Sequence, residues 1–141
     1  MSKRVSTMNW KFYCESKERI PLPPEYTFPQ AFNYLNPKSN SFYILENENG
    51  YIQCGGSKQQ CTVELRLLEK DGSFRHYVFY DPNGSDEDVL IEMSDGGVQR
   101  KNKHCFGFLK ASKLFKCYFE GVDWPEELAL EDITEQFMDN F

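Results

Sequence analysis

Few residues in this chain have both the type and the spacing to do chemistry. Cys54 lies in the run Tyr51-Ile-Gln-Cys-Gly-Gly56, where two glycines leave backbone amides beside a thiol, and His76 is the candidate base. A cysteine inside an apolar strand is more often a packed side chain than a nucleophile, so no catalysis is expected from it. Gly55 and Gly56 precede Ser57-Lys58 without the rest of a phosphate loop and read as a bulge or turn. Glu64 and Arg66 stand two apart on one side of a predicted strand, within reach of a charge-assisted pair. That pair either holds a sheet face in register or forms a polar patch for a partner, and the structural role is the expected one. With two histidines and no ligand-like spacing, neither a metal nor any other cofactor is expected. The five cysteines, Cys14, Cys54, Cys61, Cys105 and Cys117, are odd in number and scattered, which points to reduced thiols.

The charge is uneven. The net −6 comes from the end of the chain, because residues 120–141 hold eight acids and no lysine or arginine. Glu120, Asp123, Glu126, Glu127, Glu131, Asp132, Glu135 and Asp139 alternate with Trp124, Leu128, Leu130, Ile133 and Phe137. Such interleaving predicts a packed element with an acidic outer face rather than a free tail. A surface of this sign repels nucleic acid and attracts basic proteins. Arg100, Lys101 and Lys103 with Lys110, Lys113 and Lys116 are the only basic cluster, and two lysine-rich faces on an acidic chain read as solubilising rather than as a nucleic-acid site.

The elements that position these residues follow from periodicity. The 141 residues suffice for one domain, and twelve Phe, eight Tyr and two Trp supply its core. Residues 1–24 show no sustained period, end in Pro21-Leu-Pro-Pro24 and read as an N-terminal arm, in which Trp10–Cys14 is either an edge strand or a loosely attached segment. Residues 25–141 read as a single domain. Thr27 opens a helix running to about Leu35, with Phe28, Ala31, Phe32 and Leu35 on one stripe. From Ser41 the period becomes two. Strands are predicted at Phe42–Leu45, Tyr51–Cys54, Cys61–Leu68, Phe74–Tyr80, Val89–Met93 and from Val98 to about His104. A two-residue Asp71-Gly72 turn would place Leu67 opposite His76, Arg66 opposite Tyr77 and Glu64 opposite Phe79. His76 would then lie on the apolar face with Val63, Leu65, Leu67, Val78 and Tyr80, and Tyr77 would join Glu64 and Arg66. The segment Asp81–Asp88, with Asp86, Glu87 and Asp88, reads as an exposed loop. Ala111, Leu114, Phe115 and Tyr118 define an amphipathic helix that Gly121 caps, and a short helix is expected at Glu131–Met138. The fold class is α+β: an antiparallel meander of five to six strands packed with an N-terminal helix and one or two C-terminal helices.

Taken together, Asn49-Gly-Tyr-Ile-Gln-Cys-Gly-Gly-Ser-Lys58, Thr62-Val-Glu-Leu-Arg66 and Phe74-Arg-His-Tyr-Val78 resemble the core of small bacterial immunity-type proteins encoded beside polymorphic toxins. The helix Leu109–Phe119, the Pro-containing connection and Glu131-Asp-Ile-Thr-Glu-Gln-Phe137 fit the same pattern, and the resemblance spans residues 25–138. It implies an α+β domain that binds one cognate toxin in the cytoplasm and blocks it without catalysis. On this reading a basic toxin, such as a nuclease, would meet Asp123, Trp124, Glu126, Glu127, Glu131 and Asp132, with Trp124 as an aromatic anchor and Asp86, Glu87 and Asp88 as a second patch. The alternative from another class is a protein- or ligand-binding regulatory module that uses Glu64, Arg66 and Tyr77. No stretch approaches the roughly 20 apolar residues of a membrane span, and no secretory signal is legible, so a cytoplasmic protein with no membrane partner is expected.

Overall fold

The computed structural model describes residues 8–22 and 27–138. Lys11–Cys14 form β1, Thr27–Phe32 α1, Phe42–Asn47 β2, Gly50–Gly56 β3, Cys61–Leu68 β4 and Phe74–Tyr80 β5. Asp88–Ile91 and Val98–Lys101 form β6 and β7, followed by α2 at Phe108–Glu120 and β8 at Ala129–Asp132. Single 3-10 turns occupy Asn102–His104 and Thr134–Phe137. The fold is α+β: an antiparallel sheet in the order β1-β2-β3-β4-β5-β8, with both helices on one face. Neither helix is long and apolar enough to cross a membrane.

Alternation along the strands sorts the sequence onto two faces. Phe12, Leu45, Ile52, Leu65 and Tyr77 fall in one cross-strand row, and Tyr43, Cys54, Val63, Phe79 and Leu130 in the next. These rows meet Phe28 and Phe32 of α1 and Ala111, Leu114, Phe115 and Phe119 of α2 in a continuous aromatic core. Phe32 and Phe115 meet edge-on at 4.8 Å. The Tyr43 hydroxyl donates to the Ala31 carbonyl and accepts from Asn40 Nδ2, which pins the end of α1 to the sheet.

Four expectations need correction. The first is the hairpin register. Glu69 N–H bonds to the Ser73 carbonyl and Gly72 N–H to the Glu69 carbonyl, so the loop has three residues, with Gly72 at φ +91°. A tight turn followed by a positive-φ glycine matches the right-handed strand twist as well as a two-residue turn does, and it moves every pairing by one. Arg66 therefore faces His76, and Glu64 faces Val78. His76, Val78 and Tyr80 leave the predicted apolar face, and Tyr77 and Phe79 replace them on it.

Second, the predicted meander is interrupted. β6 and β7 form a separate two-stranded ribbon, and the sheet is completed instead by β8 beside β5. The short helix expected from Glu131 is thus a strand up to Asp132 and a 3-10 turn after it, because the Asp132 carboxylate binds Thr134 N–H and bends the chain there. Third, Gly55 and Gly56 are strand residues paired with Thr62 and Cys61 rather than a bulge, with Gly56 ending the strand at φ +128°. Their missing side chains admit the ribbon: a Cβ on Gly56 would meet Ile91 at 2.8 Å, and one on Gly55 would meet Met93 at 2.7 Å. Fourth, α1 ends at Phe32, and the chain tightens through 3-10-type bonds to bring buried Leu35 under the core.

Within the predicted N-terminal arm, Lys11–Cys14 is an edge strand paired with β2, and Phe12 is one of the most deeply buried side chains. Pro23, Pro24 and Asp139 lie outside the described residues.

Candidate functional site

The face of the sheet turned away from the helices carries the polar chemistry. Two rows cross it: Glu46, Tyr51, Arg66 and His76, then Gln53, Glu64, Val78 and Glu131. Arg66 donates from Nε to His76 Nδ1 at 3.0 Å, and His76 Nε2 lies 2.6 Å from Glu64 Oε1. With Nδ1 accepting, the ring proton belongs on Nε2, and the imidazole donates it to the carboxylate. Glu64 Oε2 accepts from Arg100 Nη2 of β7 at 2.8 Å, so the ribbon is fastened to the sheet by charge as well as by Ile91. Burial pushes the Glu64 carboxyl up, but the His76 hydrogen bond and the Arg100 charge outweigh it and hold the group below its ordinary value.

This chain of contacts is enclosed. His76 is 1% exposed, and Phe137 of the last 3-10 turn covers its ring at 4.1 Å. The Arg66 guanidinium sits 3.8 Å from the Phe74 ring centroid, with Phe137 and Tyr51 beside it. Tyr77, expected in this group, points to the helix face instead. The network joins the sheet, the ribbon and the C-terminal turn, which is the geometry of an internal fastening. Arg100 was legible only as a member of the basic cluster, since a partner 36 residues from Glu64 leaves no local pattern.

The pairing of Cys54 with His76 does not occur. Cys54 lies on the helix face and His76 on the other, with the sheet between them. The neighbouring Cys61 thiol and complete burial push the Cys54 thiol well up, so it is a poor source of thiolate. Among the described residues, no three His, Cys, Asp or Glu side chains are grouped to hold a metal ion.

A cleft of about 320 Å³ opens between the ribbon, β5, β8 and the C-terminal turn, lined in part by Arg100, Lys103, His104, Glu131 and Gln136. Its charges are matched in pairs. Lys101 binds Asp88 at 2.5 Å, Lys103 binds Asp86 at 3.0 Å and His104 Nε2 lies 2.9 Å from Glu131. Asp86 and Asp88, candidates for a second contact patch, are thus held by Lys103 of the 3-10 turn and Lys101 of β7, and Glu87 is exposed between them.

The C-terminal acids are differently placed. Asp123, Glu126, Glu127, Glu131, Asp132 and Glu135 are all exposed, strung along the loop after α2, the edge strand β8 and the final turn. Glu127 meets Lys110 at 3.1 Å and Asp132 meets Arg75 at 3.4 Å, both at exposed positions where such pairs contribute little. Trp124 does not project among them as a free anchor. Its ring packs edge-on against Phe79 at 4.9 Å and stacks on Tyr118, tying the acidic loop to the core.

No protein-family model, curated protein or solved structure matches this chain.

Proposed function

We propose that this chain is a non-catalytic immunity protein that captures a basic toxin domain, such as a nuclease, and neutralises it stoichiometrically in the cytoplasm. The observation that carries the reading is the acid-rich border of the sheet: residues 120–138 hold seven acids and no lysine or arginine, and Asp123, Glu126, Glu127, Glu131, Asp132 and Glu135 remain exposed although Lys110, Arg75 and His104 reach three of them. Buried Ile133 and Leu128 and the packed ring of Trp124 hold that border in place. Exposed acids on a fixed scaffold raise the rate of encounter with a cationic partner and set its orientation. The resemblance of the strand motifs to immunity-type proteins supports the same assignment. The separation of Cys54 from His76 supports a binding role over a hydrolytic one, as does the enclosure of Glu64, His76 and Arg66 in a network with no free nucleophile. That enclosure also disfavours the regulatory-module reading, which requires Glu64, Arg66 and Tyr77 on one accessible surface.

The test is affinity capture. The immobilised full chain is exposed to lysate of its source organism and eluted with rising salt. One small basic domain, recovered in equal stoichiometry and inhibited by the chain, is the expected result. Recovery of no basic protein, together with no binding by the separately expressed product of the neighbouring gene, overturns the proposal.

A further inference from the structure

Strand β8 ends the sheet and has a neighbour, β5, on one side only. The opposite end of the sheet is protected, since Ile20 N–H bonds to the Phe12 carbonyl and Cys14 bridges Lys17, folding the chain back over the outer side of β1. On β8 the parity of the backbone is set by Ile133, whose N–H donates to the His76 carbonyl. Backbone groups alternate between the two sides of an antiparallel strand, so Ala129 and Glu131 address β5 while Leu130 and Asp132 turn N–H and C=O away from the sheet. Among the described residues none of these outward groups has a backbone partner. Such an edge is a template for another strand.

The surrounding charge selects which strand. Glu126, Glu127, Glu131, Asp132 and Glu135 are exposed around this edge. A second copy of the chain paired about Glu131 or about Asp132 would lay that acid against its own counterpart, and like charges opposed across strands are destabilising. We infer that the β8 edge receives an extended basic segment of a protein partner, bonded through the backbone to Leu130 and Asp132, with lysine or arginine side chains on the face that carries Glu131. The inference rests on the basic-partner reading above and adds the mode of docking to it.

The experiment follows amide exchange at Leu130 and Asp132 in the isotope-labelled full chain. Three probes are compared: a short peptide of alternating lysine and valine, its glutamate–valine counterpart, and the lysine–valine peptide N-methylated on the edge that would face β8. The lysine–valine peptide is expected to slow exchange of both amides by about tenfold or more, and the other two to leave it unchanged. Absence of lysine–valine binding overturns the inference. So does equal binding of the N-methylated peptide with both amides still exchanging freely, since charge alone would then account for the contact. Slowing that grows with protein concentration without peptide would assign the edge to a second copy and also overturn it. Failure of the basic-partner reading is separately visible, as the absence of a basic protein in the capture experiment while the peptide result stands.

Discussion

Glu64→Gln removes the one anion shared by His76 and Arg100, and its cost can be worked from the geometry. The carboxylate accepts two donors at 2.6 and 2.8 Å, and Arg100 is only 11% exposed. Glutamine offers one acceptor oxygen and turns an NH2 toward the second donor, leaving the buried guanidinium, whose Nε already lacks a partner, without its counter-charge. Removing one member of a buried pair costs about 3–5 kcal/mol. The 15% exposure of Glu64 places the expected loss near the lower end, about 3 kcal/mol, against the roughly 5–15 available to a domain. The assay is urea unfolding at neutral pH followed by fluorescence of Trp10 and Trp124, with an unchanged slope required before midpoints are converted. Glu64→Leu combined with Arg100→Met takes both charges out of the interior and should cost less than Glu64→Leu alone. A loss below about 1 kcal/mol for Glu64→Gln, or a double variant costing the sum of its two singles, would refute the assignment of this network as a buried fastening.

Further outcomes are expected. Because Glu64 is held below its ordinary value in the fold, its contribution is complete above the unfolded value of about pH 4.3 and is lost as pH falls through the folded one; Glu64→Gln should therefore flatten the acid limb of a stability profile. Gly56→Ala meets the Gln60 carbonyl at 2.5 Å at φ +128° and should cost about 1–3 kcal/mol in urea unfolding, with a larger shift than Gly72→Ala, where the added methyl meets nothing. Phe115→Ala, which empties the centre of the aromatic core, should cost about 3–5 kcal/mol by the same measurement, whereas Leu90→Ala, half exposed on the ribbon, should change it by under about 0.5. In native protein a thiol reagent should label Cys105 first, and Cys54 and Cys61, both 0% exposed, only as fast as the chain unfolds. Equal labelling of all five would contradict the packing described.

The aromatic core was legible in the sequence because its signals are local: alternation marked β2 to β5 and the stripe Ala111, Leu114 and Phe115 marked α2, and Leu45, Ile52, Val63, Leu65 and that stripe are buried, whereas the core face of β5 moved by one residue and Leu67 is exposed. The polar network was half legible. Alternation put Glu64 and Arg66 on one face, but one additional loop residue at Lys70-Asp71-Gly72 decides whether His76 or Tyr77 joins them. Either turn satisfies the same local sequence, so only the burial of Tyr77 and Phe79 against the helices selects the register. A short helix is what the sequence predicts at Glu131–Met138, but pairing of Ala129–Asp132 with β5, some 50 residues earlier, takes its first two residues into a strand that no local pattern marks. Asp86 and Asp88 read as free acids because Lys103 and Lys101 reach them only once the ribbon is folded.

The most direct test of the basic-partner account is the affinity of the captured toxin domain for the wild-type chain and for Asp123→Lys/Glu126→Lys, measured across a range of salt. Both positions are exposed and outside the core, so unfolding midpoints should agree within about 0.5 kcal/mol. The account predicts tight one-to-one binding that weakens steeply with salt in the wild type, and a loss of affinity of at least about tenfold, with a shallower salt slope, in the variant. Equal affinity and equal salt dependence for the two proteins would contradict it.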